Sequence, residues 1–166
     1  VSSGVFGDLS ELRQLRHALQ QCADGTAMRQ MKALVGGEAA KLAAQAFIDQ
    51  VDPFGSPWVP SKRAQKWALA DVGPQTLRKS GDLLNSIAEY GGHRGYEETP
   101  FGIRVGTNKV YAATHNFGDV RTHTIRGQPR TFTFVKRQFI PTDALGNWGP
   151  ALDEVITEYL LELFGG

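Results

Sequence analysis

The sequence predicts an α+β fold: a small antiparallel β-sheet packed against a long N-terminal helix and a C-terminal amphipathic helix, with an extra β-hairpin. Three observations carry this. Apolar residues recur at helical spacing from Thr26 to Val51. From Ser86 the apolar period changes from helical toward two, in short runs separated by turn residues. Beyond about Gly149 the helical period returns, with acids opposite the apolar side.

Each element has its own warrant. Asp8 and Glu11 make an Asp-x-x-Glu capping box for a first helix striped by Leu9, Leu12, Leu15, Ala18, Leu19 and Cys22. Ala23-Asp24-Gly25 interrupts it, and Thr26 is placed to cap the long second helix. That helix is expected to turn Met28, Met31, Leu34, Val35, Leu42, Ala46, Phe47 and Val51 inward. Gly36-Gly37 falls inside the pattern, and each glycine costs about 1 kcal/mol relative to alanine in a helix, so a kink or a close approach is expected. Pro53 is the expected stop, because proline disfavours helical conformation at Asp52.

The corner DPFGSPWVP follows, with Trp58 as a packing anchor held between prolines. Ser61 to about Ala70 reads as a short helix, Gly73-Pro74 as part of a linker, and Ser80-Gly81-Asp82 as a turn or helix entry. Ile87 and Tyr90 are assigned to a strand, joined through Gly91–Gly95 to a second strand at Phe101–Val105. Tyr111–Phe117 is a compact apolar-aromatic segment, a short helix ended by Gly118. Two alternating runs, Thr122–Ile125 and Thr131–Val135, flank the turn Arg126–Arg130 and make a hairpin with its threonines on one face. The closing helix places Leu152, Val155, Ile156, Tyr159, Leu160 and Leu163 on one side. The expected organisation is one domain over 1–166: a first helix to 25, the long helix 26–52, the corner and short helices 53–85, sheet and hairpin 86–148, and the closing helix 149–166.

Composition narrows the function classes. With 41% hydrophobic and 21% charged residues the chain reads as an ordinary globular protein. No apolar run is long enough for a transmembrane helix, no signal-peptide pattern opens the sequence, and no membrane partner is expected. Cys22 is the one cysteine, which rules out an intrachain disulfide and reads as a small buried hydrophobe. Net charge is only +1, but its distribution is uneven. Arg121, Arg126, Arg130, Lys136 and Arg137 fall in one stretch with no acid, whereas the closing helix carries Asp153, Glu154, Glu158 and Glu162 and no Lys or Arg. Such polarity suits head-to-tail contact between copies, or a phosphate backbone.

Motifs for chemistry are absent. There is no Gly-x-Gly-x-x-Gly, no phosphate-binding Gly-x-x-x-x-Gly-Lys and no nucleophile elbow. His115, Asp119 and His123 are metal-ligating residue types, but their spacing lacks the one-face logic of a helical metal motif, and no metal is expected. Phe132 and Phe134 alternate beside basic residues, loosely like a base-stacking platform, although a strand's buried face gives the same pattern. The long helix lacks a basic face for the major groove, which counts against a helix-turn-helix regulator. A hidden catalytic site has no positive case in the sequence.

The order of short motifs says more than any one of them. FIDQVDPFGSPWVP (47–60) precedes LRKSGDLLNSI (77–87), GIRVGTNKVYAATHNFG (102–118) and RQFIP (137–141), followed by the amphipathic helix. This series resembles the phage virion morphogenesis or tail completion family, the Mu-like group of small neck and tail proteins, over about Ala46 to Phe164. Two features depart from the family pattern: the Thr122–Val135 hairpin lies in a region expected to vary, and RQFIP stands where Pro-Ala-Arg-Pro-Phe-Leu-Gly is more usual. The resemblance implies a structural role with no reaction and no cofactor. Copies would form a ring, a hexamer, at the head-proximal end of the tail, joining it to the head with DNA in the lumen. A tail terminator or connector subunit is the nearest alternative, and a small DNA-binding regulator a more remote one. Expected partners are further copies, other neck and tail proteins such as the tail terminator, tail tube or connector, and genomic DNA held without sequence preference. The location implied is the virion, with assembly in the host cytoplasm. Arg121, Arg126 and Arg130 are the candidates for lumen or inter-subunit contacts; Trp58, Tyr111, His115 and Phe117 are the candidates for holding the fold.

Overall fold

The computed structural model describes residues 10–67, 75–78, 80–143 and 145–164, with the side chains of all of these except 10–12, 66 and 67. Among them the order is α1 Ser10–Ala23, α2 Thr26–Asp49, α3 Lys62–Trp67, α4 Asp82–Ala88, α5 Tyr90–His93, β1 Tyr96–Thr99, β2 Gly102–Val105, α6 Ala112–Phe117, β3 Asp119–Ile125, β4 Gln128–Phe134 and α7 Pro150–Phe164. The fold is α+β as expected. β1 and β2 form a small antiparallel sheet against α2, α7 packs along α2, and β3–β4 is a separate antiparallel hairpin. The Asp8 capping residue lies outside the described residues.

Helix α2 is the spine, and small residues make it one. Val35, Ala39, Ala43, Ala46 and Phe47 are buried along one stripe, so that neighbours approach the backbone closely. Met28 and Leu34, assigned inward from the helical spacing, are half exposed. The glycine pair does not break the helix. Gly36 leaves room for the Tyr96 ring of β1, whereas Gly37 faces open space. Thr26 is the first helical residue rather than the cap: the Asp24 carboxylate accepts its N–H at 2.8 Å, and Gly25 takes the left-handed cap position. The helix also stops at Asp49, ahead of Pro53, because Gln50 turns left-handed and its amide donates to the Phe47 carbonyl at 2.7 Å.

Two clusters, sharing Val105 at their edges, fill the interior. Around Phe47 gather Trp58, Leu83, Ile87, Ala112 and Phe139. Around Val35 and Ala39 gather Leu152, Ile103 and Ile156, and the Tyr159 hydroxyl donates to the Ala27 carbonyl at 3.0 Å. α1 contributes less than its stripe suggests. Ala18 is buried, but Leu15, Leu19 and Cys22 are exposed, so Cys22 is not the buried hydrophobe expected.

The strand assignment at Ile87 and Tyr90 is corrected. Leu83, Ser86 and Ile87 form the buried face of α4, and Gly91, Gly92, His93 and Gly95 take left-handed conformations that turn the chain from helix into β1. The first strand is Tyr96–Thr99, paired Tyr96↔Val105 through Thr99↔Gly102, with Pro100-Phe101 as the two-residue connection. Its sequence, YEET, has no apolar alternation because only Tyr96 is buried, which hid it. Lys32 on α2 holds this connection by donating to the Thr99 and Pro100 carbonyls at 2.8 and 3.0 Å.

Two loops share one construction. In each an aspartate (Asp52 or Asp143) accepts, through one carboxylate oxygen, the N–H groups two and four residues on, at 2.8–2.9 Å. A left-handed glycine follows at the fourth position, Gly55 or Gly146, and an antiparallel bridge closes each loop. The loops touch, with Gly149 against the Pro53 carbonyl and the Phe54 ring. The repeated signal, Asp-x-x-Gly-Ser/Asn, is visible in the sequence once the first loop is known.

Candidate interaction surface

The ordered motifs meet in space. Trp58 lies edge-on to Phe47 with ring centroids 5.3 Å apart, and its indole N–H donates to the Gln138 carbonyl at 2.9 Å. Asn116 accepts the N–H groups of Phe139 and Ile140 at 2.9 and 3.0 Å, and Arg137 donates to the Val59 carbonyl at 2.8 Å. Ser86 on α4 hydrogen-bonds Thr107 just after β2. RQFIP therefore works as a clasp, closing the Pro-rich corner over α6. Asn116, Gln138 and Phe139 were quoted within motifs but not singled out, and their burial is what explains them.

The four proposed fold residues take different positions. Trp58 is buried in the Phe47 cluster. His115 is half-buried between the Tyr111 and Phe134 rings, with centroids 6.2 and 6.3 Å away. Its Nδ1 is buried without a partner among the described residues. Burial, and secondarily the Arg137 charge, hold the imidazole below its ordinary pKa. Tyr111 and Phe117 are exposed, flanking the root of the hairpin.

From Val120 to Thr133 every residue of the β3–β4 hairpin is exposed, so it is an arm standing away from the core. Its register, Asp119↔Phe134 through Ile125↔Gln128, sorts the side chains. Val120, Thr122, Thr124, Thr131 and Thr133 share one face, and the Thr122 and Thr131 hydroxyls bond at 3.0 Å. The threonine face is as expected. Arg121, His123, Ile125, Arg130, Phe132 and Phe134 share the other. Arg126-Gly127 makes the tip, both residues at positive φ, which is the two-residue turn matched to strand twist.

The three arginines are not equivalent. Arg121 is engaged at the arm's root: it pairs with Asp119, donates to Thr114 of α6 at 2.7 Å and lies over the Phe134 ring. Arg126 and Arg130 are exposed, with no ion pair among the described residues. Arg137, counted at sequence level with the basic stretch, is buried and belongs to the clasp instead.

Opposite in charge is the outer side of α7. Asp153, Glu154, Glu158 and Glu162 are exposed there with no ion pair among the described residues. Leu160, Leu161 and Phe164 are exposed beside them, which moves Leu160 off the inward side expected for it. No described helix is long and apolar enough to cross a membrane. Searches of curated proteins and of solved structures find no match. The model of the phage virion morphogenesis family, however, matches residues 9–162. With nearly the whole length matched, the chain belongs to the phage virion morphogenesis family, and its role is a structural, tail-related one in the phage virion.

Proposed function

We propose that the chain is a neck or tail completion subunit that forms a ring at the head-proximal end of the tail and helps join tail to head, with DNA passing through the lumen. The observation that carries this reading is the arm. A two-stranded ribbon exposed on both faces is marginal by itself, so its order is best accounted for by a neighbour in an assembly. Basic arm and acidic helix are different patches of one chain, and repeated contact between unlike patches builds a ring where the rotation from copy to copy closes. Six copies is the number that the family resemblance implies for the ring. Arg121, Arg126 and Arg130 are the residues assigned to the lumen or to the boundary between copies, and the ring's outer partners are the connector, terminator or tube proteins. Assembly takes place in the host cytoplasm and the product stays at the virion neck.

Deleting the gene and imaging the particles tests the reading. Filled heads beside unjoined tails are the expected products. Normal virions would overturn the proposal, and tails of uncontrolled length would move the chain to the terminator position.

A further inference from the structure

We infer that the basic-aromatic face of the β3–β4 arm docks on the outer face of α7 of a second copy, and that this is the contact which closes the ring. The inference rests on the ring reading and deepens it by naming both surfaces. Charge is the first argument. The arm presents Arg126 and Arg130 unpaired, while its single acid, Asp119, is already taken by Arg121. α7 presents four acids and no base. Apolar surface is the second. Phe132 and Ile125 are 40% and 42% exposed on the arm face, and Leu161 is 63% exposed on α7. Length is the third: seven-residue strands span about 23 Å and a fifteen-residue helix about 22 Å, so the two can lie along each other.

DNA is the competing occupant of the arm, and the same observations disfavour it. Each copy offers only two unpaired arginines on its arm, a small contribution per subunit to phosphate neutralisation. Exposed Ile125 and Phe132 suit a protein surface better than a hydrated backbone.

Crosslinking between two differently tagged chains reads the contact directly. In a Cys22→Ser background, one chain carries His123→Cys and the other Thr157→Cys, which leave the paired charges in place, and the mixed full-length proteins are treated with a short bismaleimide. The arm–helix heterodimer should form several-fold more than with a control pairing of His123→Cys and Lys41→Cys. Arg126→Asn keeps a residue suited to the left-handed turn while removing the charge, and should reduce the yield. High salt should reduce it too.

Sedimentation of the untreated wild-type chain separates the two readings. Oligomers without the arm–helix product overturn this contact and leave the ring standing. Monomers without the product, together with normal virions after gene deletion, overturn both. Salt-sensitive retardation of DNA fragments that is lost in Arg126→Asn, with no crosslink, would assign the arm to the lumen instead.

Discussion

At the scale of single residues, His115 shows how position turns an ordinary side chain into a pH-sensitive one. Flanked by Tyr111 and Phe134 and close to Arg137, its imidazole resists protonation in the folded chain. The unfolded chain takes up the proton at the ordinary value near 6.5. Between that value and the lower folded one, the unfolded state binds more protons, so acidification draws the equilibrium away from the native state. Stability should therefore hold above about pH 6.5, fall as the pH drops toward the folded value, and level off below it. His115→Phe keeps an aromatic ring in the site and removes the titration. Thermal melts of both proteins from pH 8 to 5 should converge at the acid end if the wild type starts higher, or diverge if it starts lower. A constant difference across that range would sink the argument.

Among the elements, α2 shows what a sequence pattern reveals and what it conceals. Its existence and approximate length are legible from the helical spacing alone. Its inward face is not, because Ala39, Ala43 and Ala46 carry less hydrophobic weight than Met28 and Leu34 yet occupy the contact stripe. β1 was concealed for a related reason: one tyrosine is buried and two glutamates face solvent. The glycine pair offers a test within one helix. At Gly37 an added methyl meets nothing, so Gly37→Ala should stabilise by up to about 1 kcal/mol through helix propensity. At Gly36 the same methyl would fall on the buried Tyr96 ring, and the resulting overpacking should cost about 1–3 kcal/mol, outweighing the gain. Urea denaturation of the two variants should give midpoints on opposite sides of the wild type. A stabilised Gly36→Ala protein would mean that β1 does not sit against α2 as described.

For the whole molecule, the division is between a body built by the ordered motifs and an arm that the body does not need. The motifs were legible because each is a core contact: Trp58, Ser86, Asn116 and Phe139 are buried where the segments meet. The arm was legible as a hairpin, from its alternation and the turn signal at Arg126–Arg130, although the turn is only Arg126-Gly127 and Gln128–Arg130 belong to β4. It was not legible as a projection, since alternating polarity looks the same whether one face is covered by the chain itself or by another copy. The anchoring of Arg121 was hidden for a similar reason, its Thr114 and Asp119 partners being brought to it by the turn out of α6. Because Asp119 pairs with Phe134, replacing residues 120–133 by Asn-Gly closes the ribbon at its root without stretching the backbone. The shortened chain loses only exposed surface and the bonds of Arg121, about 1 kcal/mol, so its melting temperature should fall by roughly 2–4 °C. Oligomers and head–tail joining should be lost together. If the shortened chain fails to fold, the arm is part of the body; if it folds and still joins heads to tails, another surface makes the assembly and the complementary charges on the arm and α7 serve no contact between copies.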